Sequence, residues 1–127
     1  MGLPSQHRLK KRSDFRTVYR KGISRSSRHF ILRAFAIEKD DNDSTRNQDP
    51  QISKIGISIS RKVSKKAVER NLIKRRIRAV FRYLLPKINS PWLIVIIVKP
   101  EAKECKYEHF LRELEKLLIK AKIIHGY

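Results

Sequence analysis

Between Arg61 and Arg82 the chain carries ten lysines and arginines against one acid, Glu69. The chemistry open to such a stretch is neutralisation of a polyanion. Lys66, Arg70, Lys74, Arg78 and Arg82 recur every fourth residue, a spacing that stacks side chains along one ridge of a helix. Like charges so spaced destabilise an isolated helix by about 0.2–0.5 kcal/mol per pair, so a sequence that repeats the pattern implies an anion to offset it. Ile73, Ile77, Val80 and Leu84 form a separate apolar stripe on the same helix. One side packs and the adjoining side binds. Asn is neutral to poor within helices, so Asn71 is either a local capping or buried hydrogen-bonding residue or a polar contact for the partner, and the two roles are compatible.

Reaction chemistry is harder to find. A protein nuclease acting alone needs clustered carboxylates for metal ions or a histidine pair for acid and base work, and neither is evident. His7, His29, His109 and His125 are scattered, Cys105 is the one cysteine, and no His-x₃-His or Cys-x₂-Cys spacing marks a metal site. The four glycines are isolated, so there is no glycine-rich phosphate loop. The expectation is a binding protein with no catalytic residue and no metal ligand of its own.

Composition bounds the partner. At 127 residues with 40% apolar content the chain is long enough for one domain with one core. A formal net charge of +19 weakens the compact state by self-repulsion unless anions bind, which points to nucleic acid. An anionic membrane surface fits less well, because no Trp- or Leu-rich insertion face or lipidation motif accompanies the cations. The longest apolar run, Trp92 to Val98, has seven residues, too few to span a bilayer. A lone cysteine and the absence of a secretory signal at the N-terminus point to a reducing cytoplasm.

The elements that must hold the basic helix read as follows. Residues 1–12 read as a basic, loosely ordered arm able to lie on phosphates. A short helix follows, with Ser13 as N-cap, Asp14 in the first turn and Gly22 at its end. Its aromatics Phe15 and Tyr19 are explained either by burial against a sheet or by stacking on unpaired bases. Residues 29–37 read as a strand apolar on both faces apart from Arg33, which is a solvated edge residue or a phosphate contact. Residues 38–50 hold acids and small polar residues and read as a solvated loop. Ile52 to Ser60 alternates Ile55, Ile57 and Ile59 with Gly56, Ser58 and Ser60, predicting a strand with an apolar core face and a small, hydroxylated, accessible face.

Pro86 stops the basic helix and Asn89-Ser90-Pro91 marks a boundary. Trp92–Val98 then has the uninterrupted apolar character of a central strand, pairing in parallel with an earlier strand through a crossover. An amphipathic helix over about 106–122 packs through Phe110, Leu111, Leu114, Leu117, Leu118 and Ala121. The predicted fold is α+β, a two-layer α/β sandwich on a single mixed sheet of about four strands in the order αβββαβα, with its core within about residues 13–122.

Residues 66–78, Lys-Ala-Val-Glu-Arg-Asn-Leu-Ile-Lys-Arg-Arg-Ile-Arg, resemble the signature of the bacterial ribonuclease P protein family, which reads approximately Ala-Val-x-Arg-Asn-x-x-Lys-Arg-x-x-Arg. Ala67, Val68, Arg70, Asn71, Lys74, Arg75 and Arg78 occupy every position of that pattern. Further similarity lies in Arg8-Leu-Lys-Lys, Asp14-Phe15, Tyr19-Arg-Lys-Gly22, Lys54-Ile-Gly-Ile-Ser-Ile-Ser-Arg-Lys-Val63 and Val98-Lys-Pro100, so that the resemblance covers roughly residues 5–122.

The resemblance implies a left-handed βαβ crossover and a monomeric protein, one per RNA subunit, that binds a catalytic RNA. That RNA performs the magnesium-dependent hydrolysis removing the 5′ leader of precursor tRNA. It implies RNA contacts at Arg61, Lys62, Lys65, Lys66, Arg70, Asn71, Lys74, Arg75 and Arg78, and a leader cleft lined by Phe15, Tyr19, Arg33, Ser58 and Ser60. Many relatives carry an aromatic where Arg33 stands, so there guanidinium stacking or a phosphate contact takes the place of ring stacking. The rival readings are a ribosome-associated RNA-binding protein without nuclease role, a DNA-binding protein, for which the chain lacks a recognition helix after a tight turn, and a protein-only nuclease.

Overall fold

The computed structural model describes residues 3–37, 52–88, 91–104 and 107–124. The acidic segment 38–50, the boundary residues Asn89 and Ser90, Cys105 and His125 lie outside the described residues. The elements are α1 (Arg12–Lys21), β1 (Ile23–Ser26), β2 (Phe30–Ala36), β3 (Lys54–Ser58), α2 (Ala67–Leu84), β4 (Trp92–Val98) and α3 (Tyr107–Lys120), the expected αβββαβα order, with short 3₁₀ turns at Ser5–His7, Leu85–Lys87 and Pro100–Glu104.

One mixed sheet has the strand order β1-β2-β4-β3. β4 runs antiparallel to β2 and parallel to β3, so the apolar strand sits inside the sheet and α2 is the crossover that joins the parallel pair. Side-chain alternation divides the sheet into two faces. On one, Phe30, Leu32, Ala34, Ile55, Ile94, Ile96 and Val98 are buried beneath α2 and α3. α2 contributes Ile73, Ile77, Val80 and Leu84, as its spacing predicts, and Phe81 besides; α3 contributes Phe110, Leu114, Leu117 and Leu118. Phe30 meets Phe110 edge to face, with ring centroids 5.1 Å apart. Leu111, expected in the stripe of α3, lies at its margin and is exposed.

The opposite face carries a smaller cluster of Leu9, Val18, Leu93 and Val95, extended by Phe15, Phe35, Ile37 and Ile97. α1 rests there. The expectation that the Gly56–Ser58 side of β3 is an open floor is therefore corrected: Gly56 is buried under Phe15 and Leu9, and a β-carbon there would come within 2.7 Å of the Phe15 ring.

Three further differences have local causes. β1, Ile-Ser-Arg-Ser, has too little apolar alternation to announce a strand; it forms because Gly22 lets the chain leave α1 against the carbonyls of Val18 and Ala34, where a β-carbon would lie 2.4 and 2.7 Å away, and run beside β2. Ser13 is not the N-cap. α1 begins at Arg12, the cap position is Lys11 without a side-chain bond, and the Lys11 carbonyl accepts the amides of Asp14 and Phe15.

Nor are the described residues of the 1–12 arm loose. The Leu9 amide donates to the Ile55 carbonyl at 2.9 Å, His7 Nδ1 donates to the Ser53 carbonyl at 2.9 Å, and Leu3 and Leu9 are buried. Unpaired backbone groups at the β3 edge, together with two apolar anchors, hold this segment in place.

α3 is fastened to the turn before β2 by Glu113. Its carboxylate accepts His29 Nδ1 at 2.6 Å, the His29 amide at 3.0 Å and the Ser27 hydroxyl at 2.5 Å. Burial opposes ionisation of Glu113, yet the bonds from His29 and Ser27 outweigh it and hold its pKa below the ordinary carboxylate value. A lowered pKa contributes stability above the unfolded-state value and loses it as the pH falls through the folded-state value. Unfolding free energy should therefore drop on acidification below about pH 4, and Glu113→Gln should flatten that drop in urea titrations. Phe81→Ala, which empties a fully buried site, should cost about 3–5 kcal/mol in the same measurement.

Candidate nucleic-acid interface

α2 holds its cations outward because its other side is committed to the core. Asn71, Arg75 and Arg82 are exposed, whereas Lys74, Arg76 and Arg78 are half-buried, their alkyl stems lying along the protein surface as long cationic side chains do. The Asn71 side chain forms no hydrogen bond among the described residues and caps nothing. Among those residues no cation of α2 is in an ion pair; the pairs that form are His29–Glu113, Lys87–Glu115 and Lys103–Glu69. Burial, and then the neighbouring charge of Arg8, lower the pKa of Arg78, so the arm brings a second guanidinium close to the ridge. Arg70 differs from its neighbours. Its Nη1 donates to the Ser64 carbonyl at 2.8 Å, tying the first turn of α2 to the loop before it.

That loop, residues 61–66, has a buried middle and charged flanks. Val63 and Ser64 are 3% and 5% exposed, while Arg61, Lys62, Lys65 and Lys66 point to solvent. The Ser60 hydroxyl accepts the Lys62 amide at 3.3 Å and the Ser60 carbonyl accepts the Val63 amide at 3.1 Å. The Ser64 hydroxyl donates to Glu69 and accepts the Lys66 amide. Loop and helix therefore present their cations as one body, with a cavity of about 410 Å³ between the loop, Glu69 and Lys103. The hydrogen bond from Ser64, opposed by burial and assisted by Lys103 and Lys66, lowers the pKa of Glu69.

The residues expected in a leader cleft fall near α1. Phe15 is half-buried on Gly56, and Tyr19 is 41% exposed. The Arg33 guanidinium lies 5.4 Å from the Tyr19 ring centroid, and its Nη2 donates to the Tyr19 carbonyl at 2.6 Å. Arg33 is thus stacked on a ring of its own chain and bound to the negative end of α1, while its buried Nε has no partner. Ser58 ends β3 and lies in register with Ile97, which pairs in turn with Ile31. Ser60 belongs to the turn beyond the strand and not to the strand itself.

Sequence reasoning missed the half-buried Ile31 and Ile97, which make this floor apolar. It also missed Lys103 as part of the basic surface and Ser64 as the buried brace beneath it. None of these has a periodic signal, since each is brought into place by a different element. Phe15, read as either buried against a sheet or stacked on bases, is half-buried against β3.

Among the described residues no three His, Cys, Asp or Glu side chains form a group able to hold a metal ion, and no helix is long and apolar enough to cross a membrane. Glu69, Glu113 and Glu115 are each engaged by a local partner. The arrangement can bind an extended polyanion.

Fold and surface together define a class: a small α+β protein whose parallel strand pair is crossed by an uncompensated cationic helix. The Ribonuclease P family profile matches residues 3–122, and the chain belongs to the ribonuclease P protein family. It is 54% identical to the ribonuclease P protein component of Microcystis aeruginosa over 127 residues, all of both chains, and 54% identical to that of Picosynechococcus, again over all of both. Among solved structures it is similar to the Staphylococcus aureus RNase P protein, at 31% identity and a TM-score of 0.77 over 94% of this chain and 98% of that one. It is also similar to the Thermotoga maritima RNase P protein in complex with 1-(4-fluorophenyl)-2-thiourea, at 26% identity and a TM-score of 0.71 over 87% and 96%. Membership ties the chain to the endonuclease of tRNA 5′ processing.

The close approach at Gly56 sets the position of Phe15. Gly56→Val should push the ring off β3 and destabilise the fold by about 1–3 kcal/mol, seen as a lower urea midpoint and as shifted Phe15 ring resonances by NMR.

Proposed function

We propose that this chain is the protein subunit that binds the catalytic RNA of ribonuclease P and the 5′ leader of precursor tRNA, promoting endonucleolytic removal of the leader. The carrying observation is the unpaired cationic side of α2, fixed to the sheet by its apolar flank. Arg61, Lys62, Lys65, Lys66, Arg70, Asn71, Lys74, Arg75 and Arg78 contact the catalytic RNA in this reading, with Arg70 also bracing the loop. Phe15, Tyr19, Arg33 and Ser58 line the leader cleft, where an exposed tyrosine ring, a guanidinium and an apolar floor suit the bases and backbone of a single strand. Ser60 acts through the loop turn it closes.

The protein lowers the electrostatic cost of bringing two RNAs together. Bond cleavage, with its magnesium ions, belongs to the RNA. One protein serves each RNA subunit, in the cytoplasm, with no membrane contact.

Adding the chain to a bacterial ribonuclease P RNA at low salt should raise magnesium-dependent cleavage of precursor tRNA; no enhancement would defeat the reading, and cleavage without the RNA would defeat the assignment of catalysis. Reversing charge at Lys74 and Arg75 together should weaken assembly with the catalytic RNA and flatten the dependence of log K on log salt by about 1.5, since each lost phosphate contact removes about 0.7–0.9 from the slope.

A further inference from the structure

The cavity beside the 61–66 loop is walled from two directions. Arg61, Lys62, Lys65 and Lys66 form one wall, and Lys103, from the 3₁₀ turn that follows β4, forms the other. Lys103 is delivered there by its neighbour: Ala102 is 1% exposed and its amide donates to the Lys99 carbonyl at 2.9 Å, so the turn is pinned while the lysine projects. Five cations thus surround one acid, Glu69. The space between the two walls is an open cleft of about 410 Å³. The cap position of α2, Lys66, makes no side-chain cap bond, and Glu69 is the acid of its first turn.

Glu69 is placed to hold this wall in reserve. Its carboxylate is fixed by the Ser64 hydroxyl and lies 3.7 Å from Lys103 Nζ. That distance is well beyond the roughly 2.7–2.9 Å of a close charge-assisted hydrogen bond. The lysine is therefore attracted but not locked. Since Ser64 keeps the pKa of Glu69 low, the carboxylate is ionised at neutral pH and competes with any incoming anion. A phosphodiester carries the same single charge but is not tethered by Ser64 at 3.7 Å, so it is free to close to direct hydrogen-bond distance on Lys103.

We propose that this cavity seats a phosphodiester of the bound RNA, with Lys103 as a contact residue outside the signature helix and Glu69 as the placeholder it leaves. The inference rests on the RNA-binding function proposed above and adds a second element, the turn after β4, to the interface. It also gives opposite signs to two neighbouring substitutions. Lys103→Ala removes a contact, whereas Glu69→Gln removes the competitor and keeps an oxygen to accept the Ser64 hydroxyl.

The test is binding of the full chain to a bacterial ribonuclease P RNA by fluorescence anisotropy across a salt series, with circular dichroism melting of each variant alongside. Lys103→Ala should weaken binding about two- to five-fold, the worth of one exposed charge interaction, and flatten the salt slope by about 0.7–0.9. Glu69→Gln should tighten binding by a similar factor, and the gain should shrink when Lys103 is already alanine. A silent Lys103→Ala in a wild-type background that binds and stimulates the RNA would overturn the seat while leaving the proposed function standing. Weakening by Glu69→Gln would overturn the placeholder role and make Glu69 a purely structural brace. A wild-type chain that does not bind the RNA at all would remove both readings together.

Discussion

The packing of the apolar side of α2 on the sheet is the constraint from which the rest follows. Ile73, Ile77, Val80, Phe81 and Leu84 are buried against a face built from β2, β3 and β4, and burying such side chains is worth about 1.5–3 kcal/mol each relative to exposure. Charged groups cannot follow them inward without a large desolvation cost, so the helix is oriented with its cations at or near the surface. Because α2 is also the crossover between the parallel strands β3 and β4, its position is set at both ends. A helix that would repel itself in isolation is kept folded by tertiary contacts, and its repulsion remains available to be relieved by an anion.

The two faces of the sheet divide the work. The larger cluster, under α2 and α3, supplies most of the core. The smaller one under α1 is shallow and leaves Tyr19 exposed and Ile31, Arg33, Ser58 and Ile97 half-buried. A fully packed second face would have closed this surface. Gly56 is what lets α1 lie close on one side while the row through Ser58, Ile97 and Ile31 stays uncovered by it, since Phe15 occupies the space a larger residue would need.

Charge is managed unevenly over the molecule. With 31 lysines and arginines against 12 acids, the chain cannot neutralise itself, and the described acids that form ion pairs do so where they fasten elements together. Glu113 joins α3 to the turn before β2, Glu115 meets Lys87 after α2, and Glu69 braces the loop before α2. Among the described residues the excess is carried on the open side of α2 and its loop, and the paired carboxylates act as joints.

The sequence by itself determined the three helices, the strands β2 and β3, the inner place of Trp92–Val98, the buried stripe of α2 and the outward cations of the signature. Each is written in a local period or an uninterrupted apolar run, and burial free energy acts on such patterns whatever else surrounds them. Only the tertiary structure decided that Ile23–Ser26 is a strand, that the segment around Leu3 and Leu9 docks beside β3, that Arg33 stacks on Tyr19, and that Lys103 faces the 61–66 loop. Those outcomes depend on which backbone edge, ring or charge arrives from a distant part of the chain. A short segment with few apolar residues has no preference strong enough to reveal its partner in advance.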